Sequence, residues 1–376
     1  MSSMEKHLNV KALRAALDKC GLNASALAEK LNVSREAVSK WLSGEAFPRP
    51  DKLLRLGSIV DLAFGELVVR EEANAPVIAF RKMRGSKTTD DHVAHAREMG
   101  RLLKELVPFL PFTTLTLPPF LKAPVVDYDY IQEVVSNVRQ EIGVDPDGVV
   151  DFRRLIRTFR ALQTVLIPVF WGNKNRHENA IHVYLPDSKT TWVYLNLDTN
   201  VHDFLFWMSH ELGHSLSPDL SGDFAEDFAD AFAGSLLFPR ALAKRAYKEL
   251  SGKRIGTQIN RIKLYAEKMM ISPYNVYSQI NAYAEREGQR KLALDKDIHP
   301  ATTKFNQAFP NLSEVLFDGA APKPEAYIER IGNEFETPFF DVLKTYLRET
   351  GRGPGFVQTV LDCGALDAKA IHSELI

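Results

Sequence analysis

Two consecutive stretches of the chain, FLFWMSHELGHSL (residues 204–216) and DFAEDFADAFAGSLLFP (223–239), decide how the larger part of this protein is expected to fold. Both have apolar side chains at helical spacing, and the residues between them, SPDLSG, are typical of a turn. The first stretch contains two histidines four residues apart, which places both imidazoles on one face of a helix. The sequence therefore predicts two packed helices that enclose polar side chains among apolar ones.

His210, Glu211 and His214 have the HExxH spacing of zinc sites. Neutral imidazole nitrogens bind zinc at about 2.0–2.1 Å, and a catalytic site leaves one position open for water. Two histidines buried in an apolar helix also need polar partners. We therefore predict that both histidines bind Zn²⁺ and that Glu211 is the general base. The alternatives are a buried polar pair without metal and a zinc site that does not hydrolyse peptides.

The second stretch places Glu226 and Asp230 four residues apart on a common helical face, beside a row of alanines. Alanines allow two helices to approach closely, so Glu226 is predicted to be the third protein ligand. Asp230 is predicted to accept a hydrogen bond from the far nitrogen of a ligating histidine. Two alternatives stay open, because Glu226 and Asp223 also fit a helix cap and Asp227 is a competing ligand.

A different pattern occupies the N-terminal region. In LAEKLNVSREAVSKWLSG (residues 27–44) two amphipathic segments flank a polar turn at 32–34. Ser34 is a suitable N-cap for the second segment, and Gly44 permits a left-handed backbone at its end. We therefore predict burial of the apolar residues of both segments, namely Leu27, Ala28, Leu31, Ala37, Val38, Trp41 and Leu42.

The polar side of the second segment is predicted to read DNA, because a helix fits the major groove and its first polar side chains reach base edges. Residues 1–70 contain 11 Lys or Arg and 8 Asp or Glu, and the difference of three positive charges suits phosphate contacts. A helical bundle that binds protein instead of DNA is the alternative. The predicted DNA contacts are Ser34, Arg35, Ser39 and Lys40, with Arg49 as a further phosphate contact.

Composition restricts the function classes. The 376 residues carry a net charge of −1, so the whole chain is not a polycation that coats nucleic acid or anionic lipid. Cys20 and Cys363 form no CxxC pair and are predicted to be buried thiols, not a disulfide or a thiolate zinc site. The apolar run 106–126 contains five prolines, which a helix in lipid does not tolerate. We therefore predict a connector there, no membrane segment and a cytoplasmic protein.

Strands are predicted where β-branched and aromatic residues cluster between polar turns. These strands are TVLIPVFW (164–171), IHVYLP (181–186) and TTWVYLNL (190–197), with a tight turn at 187–189. Most other segments have helical patterns, so the fold is expected to be mainly α with a small β-sheet. His177, His182 and Tyr194 are weaker candidates for stabilising an oxyanion, since solvated loop histidines and a packing tyrosine are more ordinary. His202, at a helix start, is predicted to lie at the surface.

Residues 27–44, followed by Pro48 and LLRLGSIV (53–60), resemble the Cro/CI-type (Xre family) DNA-binding domain. The resemblance covers about 60 residues of the chain. It implies a five-helix bundle, usually dimeric, in which residues 34–40 lie on the recognition helix. A homodimer that binds a double-stranded DNA operator is therefore expected.

HELGH (210–214), followed by ExxADxFAxxLLxP from Glu226 to Pro239, resembles the ImmA/IrrE family of metallopeptidases. VYLNLD (193–198) and residues 264–283 are similar to further elements of that family, so the resemblance covers about 127–285. It implies a gluzincin-like, zinc-dependent endopeptidase that can cleave a repressor and so relieve transcriptional repression. Some members of the family act as antitoxins or stress-response regulators.

Together these expectations give an N-terminal five-helix DNA-binding bundle, an α+β gluzincin-like zinc metallopeptidase domain and a helical C-terminal region. The expected regions are a helix-turn-helix domain (1–70), a helix and proline-rich connector (71–126), the peptidase domain (127–287) and a helical region of unknown role (288–376). The expected protein is a transcriptional regulator that controls repression in a stress, phage or toxin–antitoxin circuit, with a repressor or toxin as protein partner. The alternative is a non-catalytic DNA-binding antitoxin or regulator whose zinc domain is a sensor or a partner-binding fold.

Overall fold

The structure, a computed structural model, describes residues 4–43, 46–72, 76–79, 90–112, 120–171, 180–220, 222–319 and 321–376. Contacts within the chain divide it into two compact units, Met1–Ala75 and Pro76–Ile376. The boundaries expected at 126/127 and 287/288 therefore fall inside the second unit. Gly44, expected to end a helix, lies outside the described residues, as does much of the proline-rich stretch (113–119).

The first unit has the five helices expected from its sequence. They are α1 (Val10–Lys19), α2 (Ala24–Leu31), α3 (Arg35–Leu42), α4 (Pro50–Val60) and α5 (Phe64–Leu67). The side chains of Asn9, Asn23 and Ser34 each accept a hydrogen bond from the backbone N–H three residues further on, which fixes where α1, α2 and α3 begin. Asn32 has a left-handed backbone (φ 51°) and turns the chain between α2 and α3.

The apolar faces of these helices form the core of the first unit. Leu27, Leu31 and Val38 are fully buried, and Ala37 and Leu42 are partly buried against the same cluster. The predicted buried stripe of the helix-turn-helix is therefore confirmed. A two-stranded antiparallel sheet, which the sequence did not suggest, joins the two ends of the unit. Its strands are β1 (Met4–Leu8) and β2 (Val68–Glu72), with Met4 opposite Glu72.

The second unit contains a four-stranded sheet in the order β3-β5-β6-β4. Its strands are β3 (Val77–Ala79), β4 (Val165–Val169), β5 (Ala180–Leu185) and β6 (Thr190–Asn196). β4 runs parallel to β6, whereas β5 is antiparallel to both β6 and β3. The three predicted strands are confirmed as β4, β5 and β6. β3 was not predicted.

Helices surround this sheet. Their bounds are α6 (Asp90–Leu106), α7 (Tyr128–Glu141), α8 (Phe152–Ala161), α9 (Val201–Leu216), α10 (Gly222–Leu237), α11 (Arg240–Leu250), α12 (Ile255–Met269), α13 (Pro273–Arg286), α14 (Asp295–Asn306), α15 (Leu312–Leu316), α16 (Pro324–Phe335), α17 (Phe339–Thr350), α18 (Pro354–Leu361) and α19 (Ala365–Leu375). The chain is thus mainly helical with a small sheet, as predicted. Among the described residues, no helix combines the length and the apolarity needed to cross a membrane.

One hydrophobic core extends through the second unit, from Met99 in α6 to Leu375 in α19. It includes large, fully buried side chains of the sheet, of α9 and of the C-terminal helices, such as Trp192, Phe204 and Phe339. Helices α14–α19 therefore share a core with α9, the helix that carries the HExxH residues.

Candidate metal centre and nucleic-acid interface

α9 carries the HExxH residues through the middle of the second unit. The side chain of Asn200 caps the helix by accepting a hydrogen bond from the backbone N–H of His202. His210, Glu211 and His214 are 0%, 2% and 4% exposed. They are buried because apolar residues occupy most other positions of α9, so these three polar groups have little access to solvent.

Gly213 lets α10 approach α9 closely. A Cβ atom added to Gly213 would lie 3.1 Å from the Cα of Ala229 and 3.2 Å from a ring carbon of Phe232. The missing side chain on α9 and the small alanine on α10 therefore bring the two backbones together. This approach places the carboxylates of Glu226 and Asp230 beside the histidines.

Three predicted ligands converge at this helix pair. The Nε2 atoms of His210 and His214 are 3.0 Å apart, and each lies 3.4 Å from a carboxylate oxygen of Glu226. One ligand atom from each of the three residues lies within 4.8 Å of the others, and the described residues contain no second such group of His, Cys, Asp or Glu. Asp227, the competing ligand, is exposed and outside the group.

Asp230 determines which nitrogen of His210 faces the cluster. Its Oδ1 lies 2.9 Å from Nδ1 of His210. A carboxylate only accepts hydrogen bonds, so Nδ1 carries the proton and donates it. In neutral His210 the lone pair is then on Nε2, the atom that points at His214 and Glu226. This is the orientation that metal-bound histidines have in proteins.

The donor set fits Zn²⁺. Ligands about 2.0–2.2 Å from a tetrahedral ion lie about 3.3–3.5 Å from one another, close to the separations of the three atoms here. Oε2 of Glu211 is buried and has no hydrogen-bond partner among the described residues, and buried Oε2 of Glu226 has only the long 3.4 Å contact with Nε2 of His210. Buried carboxylate oxygens are costly when they have no partner. A bound cation would stabilise both.

The ionisable side chains of this site strongly shift one another's pKa values, even without a metal ion. Burial lowers the pKa of His210, but hydrogen bonds with Asp230 and Glu226 outweigh this effect and raise the pKa to about 9. Burial raises the pKa of Glu226, yet its interactions with His210 and His214 lower it to about 2. Burial is also the main reason why the pKa of Glu211 rises to about 8. Perturbed pKa values of this kind cluster at functional sites.

Several other predicted positions are corrected by the structure. His182 is not a solvated loop residue: it is 4% exposed on β5, its ring centroid lies 5.6 Å from that of His214, and its Nε2 lies 3.4 Å from Oγ of Ser215. Burial lowers the pKa of His182 well below its usual value. The sequence signal for this position was its place inside the strand IHVYLP, where alternate residues face the core. His202 is buried, not at the surface.

The remaining candidates lie away from the His210, His214 and Glu226 cluster or outside the described residues. The hydroxyl of buried Tyr194 donates to the carbonyl oxygen of Val360, as expected for a packing tyrosine. His177 lies outside the described residues. Cys20 is exposed, not buried, because it follows the last turn of α1, whereas Cys363 is half-buried.

The candidate DNA-contacting residues lie at the surface, unlike the buried residues of the candidate metal centre. Ser34, Arg35, Ser39, Lys40 and Arg49 are all exposed, and the first four lie at the N-cap and along one side of α3. Oγ of Ser34 also accepts the capping hydrogen bond of α3, at 3.1 Å. Lys40 forms an exposed i,i+4 ion pair with Glu36 at 3.2 Å, which is weak enough to open when a phosphate approaches.

Comparison with known proteins identifies the first of these two sites. A family model described as helix-turn-helix matches residues 13–67. The first unit therefore contains a DNA-binding helix-turn-helix of the Cro/CI type, and the chain is a DNA-binding regulator in this respect. No curated protein and no solved structure matches the chain. The zinc peptidase resemblance of the second unit stays a prediction.

Proposed function

We propose that this protein is a DNA-binding transcriptional regulator whose second unit is a zinc-dependent endopeptidase of the HExxH type. The family model supports the DNA-binding part. One observation carries the peptidase part: ligand atoms of His210, His214 and Glu226 converge within 4.8 Å, and Glu211 is buried on the same helix.

In the proposed reaction, Nε2 of each histidine and the carboxylate of Glu226 would hold the ion. When bound, Zn²⁺ lowers the pKa of a water molecule to about 7 and polarises the carbonyl of a peptide. Glu211 would accept a proton from the attacking water as the C–O bond forms, and would deliver a proton to the amine nitrogen as the peptide C–N bond breaks. A general base works best when its pKa lies near the working pH. Burial and the neighbouring protein groups alone raise the pKa of Glu211 to about 8, and a bound cation would lower it from there.

Asp230 acts through His210 in this proposal. By accepting the Nδ1 proton at 2.9 Å, it holds the ring in the orientation that presents the Nε2 lone pair. Glu226 in turn keeps its negative charge, because the histidines lower its pKa to about 2. The charge of Glu226 and the fixed tautomer of His210 both favour the binding of a divalent cation.

The DNA-binding part is proposed to act as a homodimer on an operator with two half-sites. Arg35, Ser39 and Lys40 are proposed to reach bases or phosphates from α3, with Ser34 at its N-cap and Arg49 as a phosphate contact. The circuit is proposed to be one of stress, phage or toxin–antitoxin control, and the protein partner a repressor or toxin that the peptidase cleaves.

A second candidate function retains zinc but not catalysis. It is favoured by the low exposure of His210, Glu211 and His214, because a peptide must reach the ion before it is cleaved. In this case the second unit is a zinc-stabilised sensor or a partner-binding fold, and the protein acts as an antitoxin or repressor through its DNA-binding unit.

Glu211→Gln separates the two candidates. The variant keeps the size of the side chain and leaves all three proposed ligands in place, so zinc content should stay at the wild-type value. Cleavage of a repressor or toxin encoded next to this gene, co-expressed and followed by mass spectrometry, should fall by about 10²–10⁴-fold. Equal cleavage by wild type and variant would remove the peptidase proposal, and no cleavage by either protein would favour the second candidate.

A gel-shift assay tests the DNA-binding part independently. The full chain should bind the DNA upstream of its own coding region more tightly than a scrambled sequence of the same length. Glu211→Gln should bind this DNA like the wild type, since Glu211 lies in the other unit. No preference for the upstream DNA would contradict the proposed autoregulation while leaving the zinc site untouched.

A further inference from the structure

We propose that β3 (Val77–Ala79) is a displaceable strap: it occupies the edge of β5 to which an extended segment of a protein partner binds when that segment reaches the metal centre. The inference rests on the proposed metal centre and specifies how a partner approaches it. Addition of a strand to a sheet edge is a recurring way in which proteins bind peptides, because the backbone hydrogen bonds supply affinity.

β5 lies directly beside the metal centre. The ring centroid of His182 on β5 is 5.6 Å from that of His214, and its Nε2 is 3.4 Å from Oγ of Ser215 on α9. β5 pairs with β6 on one side and with β3 on the other, where Ala79 lies opposite His182. β3 also lies close to α10, the helix that carries Glu226. An extended peptide in the place of β3 therefore runs alongside the proposed ligands.

The direction of β3 also matters for a partner. β3 is antiparallel to β5, with Val77 opposite Tyr184 and Ala79 opposite His182. Because the His182 ring is the one beside His214, the carboxyl end of β3 is nearer to the metal centre than its amino end. A partner segment bound in the same direction therefore presents the residues at its carboxyl end to the ion.

α6 holds the strap from the opposite face of the sheet. Alternate residues of a strand face opposite sides, so the side chain of Val183 lies on the other face from that of His182. A Cβ atom added to Gly100 of α6 would lie 2.7 Å from Cβ of Pro76 and 3.3 Å from Cγ1 of Val183. The missing side chain of Gly100 is thus what lets α6 pack against the start of β3.

β3 is the most weakly held strand of this sheet. It has three residues, whereas β5 and β6 have six and seven. Val77 is 39% exposed, and Ile78 is only partly buried against the core. A backbone hydrogen bond contributes about 0.5–1.5 kcal/mol net, and a segment that pairs with β5 replaces the bonds that β3 gives up. Displacement therefore costs mainly the contacts of Pro76 and Ile78.

A peptide with the sequence of β3 is the probe for this edge. Acetyl-Val-Ile-Ala-hydroxamate can pair with β5 and carries a metal-binding hydroxamate at its carboxyl end, whereas acetohydroxamate is the metal-binding group alone. Both are titrated by calorimetry into the zinc-loaded full chain. The ratio of the two affinities is compared between variants, so that a change in the metal centre itself cancels.

Gly100→Ala should release the strap, because the new Cβ pushes against Pro76 while alanine favours the helix α6. The variant should bind the peptide hydroxamate about tenfold more tightly than the wild type, since the open edge no longer has to be formed first. Its affinity for acetohydroxamate should not change. Gly332→Ala, the same substitution on α16 at a position with open space, is the matched control and should bind both probes like the wild type.

A disulfide should fix the strap in place. Val77→Cys combined with Tyr184→Cys puts two thiols at directly opposite positions of the antiparallel pair, a separation that a disulfide spans. The oxidised double variant should bind the peptide hydroxamate about tenfold more weakly than its reduced form, and both forms should bind acetohydroxamate equally. Val77→Cys alone has no opposite thiol and should not respond to oxidation.

Hydrogen exchange provides a readout that needs no ion. Amides of residues 180–185 should exchange faster in Gly100→Ala than in the wild type or Gly332→Ala. If acetohydroxamate binds to no form of the protein, the metal centre is refuted, and the exchange rates alone decide whether the strap opens. The strap is refuted if Gly100→Ala changes neither exchange nor peptide affinity, or if the oxidised double variant binds the peptide hydroxamate as tightly as the reduced one.

Discussion

The two candidate sites of this protein place their polar groups in opposite environments. On α3 of the first unit, the proposed DNA contacts lie on the side of the helix that does not pack against the core, and all are exposed. On α9 and α10 of the second unit, the proposed ligands lie inside the core, with His210 fully buried. Substitutions at the first site can thus leave the core unchanged, whereas substitutions at the second site change side chains that are packed in the core.

This difference has an energetic consequence. Exposed substitutions away from special features usually change stability by less than about 0.5 kcal/mol, so variants of α3 should alter DNA binding alone. Removing one partner from a buried polar cluster leaves the others without compensation and costs about 1–3 kcal/mol or more. Variants of the metal centre should therefore change function and stability together.

The largest expected effect is the loss of zinc from Glu226→Gln. A neutral amide replaces the one charged ligand, and the loss should exceed the roughly 10–100-fold that follows from changing a residue behind a ligand. Zinc affinity, measured by competition with a chelating dye, should fall by more than about a hundredfold. The melting temperature of the zinc-loaded protein should fall as well.

Asp227→Asn is the matched control, since Asp227 is the adjacent carboxylate and is exposed. It should retain wild-type zinc affinity and melting temperature. If the two variants exchange these results, Asp227 is the third ligand and the contrast between a buried and an exposed site is lost.

Next in size is Asp230→Ala, which removes the acceptor for the Nδ1 proton of His210. Zinc affinity should fall by about 10–100-fold because the ring is no longer held in one orientation. Asp230→Asn keeps an acceptor oxygen and should recover most of this loss. If the Asn variant is as weak as the Ala variant, the charge of Asp230, not its hydrogen bond, supports the site.

On the exposed side of the comparison, Arg35→Ala combined with Lys40→Ala should weaken operator binding by about tenfold and reduce the slope of log affinity against log salt by about two. The control is the pair Lys19→Ala and Arg55→Ala, which removes the same charge from exposed positions outside α3. Neither double variant should shift the melting temperature. Equal losses of affinity in both would mean that overall charge, not the α3 surface, governs binding.

The features that could be predicted from the sequence depend on local patterns of residues. Residues four apart on a helix share a face, so the proximity of His210 to His214 follows from α9 alone. The match of the three predicted strands to β4, β5 and β6 has the same origin, because each is a short β-branched or aromatic run between polar turns.

The features that could not be predicted from the sequence depend on contacts between residues far apart in the chain. β1 and β2 are charged segments, MEKHL and VVREE, that become strands because Met4–Leu8 pairs with Val68–Glu72, a part of the chain far away in sequence. Burial of His202 likewise depends on Phe305 and Phe309, whose rings lie 4.9 and 4.1 Å from its own. No pattern near residue 202 contains this information.

A cavity of about 460 Å³ lies beside the ends of β4 and β6, and it could not have been predicted from the sequence for the same reason. Asp198, Glu314 and Asp367 are ordinary acidic residues in separate elements, and only the packing of α15 and α19 against the end of the sheet gives them a common surface. Its carboxylates share neither a helix turn nor a strand. Sequence spacing therefore predicted the convergence of His210, His214 and Glu226 and missed the cavity.

A pH-dependent effect is expected at His202, which is buried like the proposed ligands but lies outside the cluster of His210, His214 and Glu226. Burial lowers its pKa to about 4, and its Nδ1 has no hydrogen-bond partner among the described residues. In the unfolded chain the pKa is about 6.5, so between pH 6.5 and 4 the unfolded state binds more protons than the folded state. Stability is therefore complete above pH 6.5 and falls as the pH is lowered towards 4.

His202→Phe removes this proton while keeping a ring between Phe305 and Phe309. At pH 5 the wild type should have lost about 2 kcal/mol of unfolding free energy relative to its value at pH 7.5, in excess of any loss in the variant. Urea unfolding of both proteins at the two pH values measures this difference, in which titrations common to both proteins cancel. Parallel curves for the two proteins would show that His202 protonates equally in the folded and unfolded states. In that case, burial alone would not distinguish the polar groups of the second unit from those of the first.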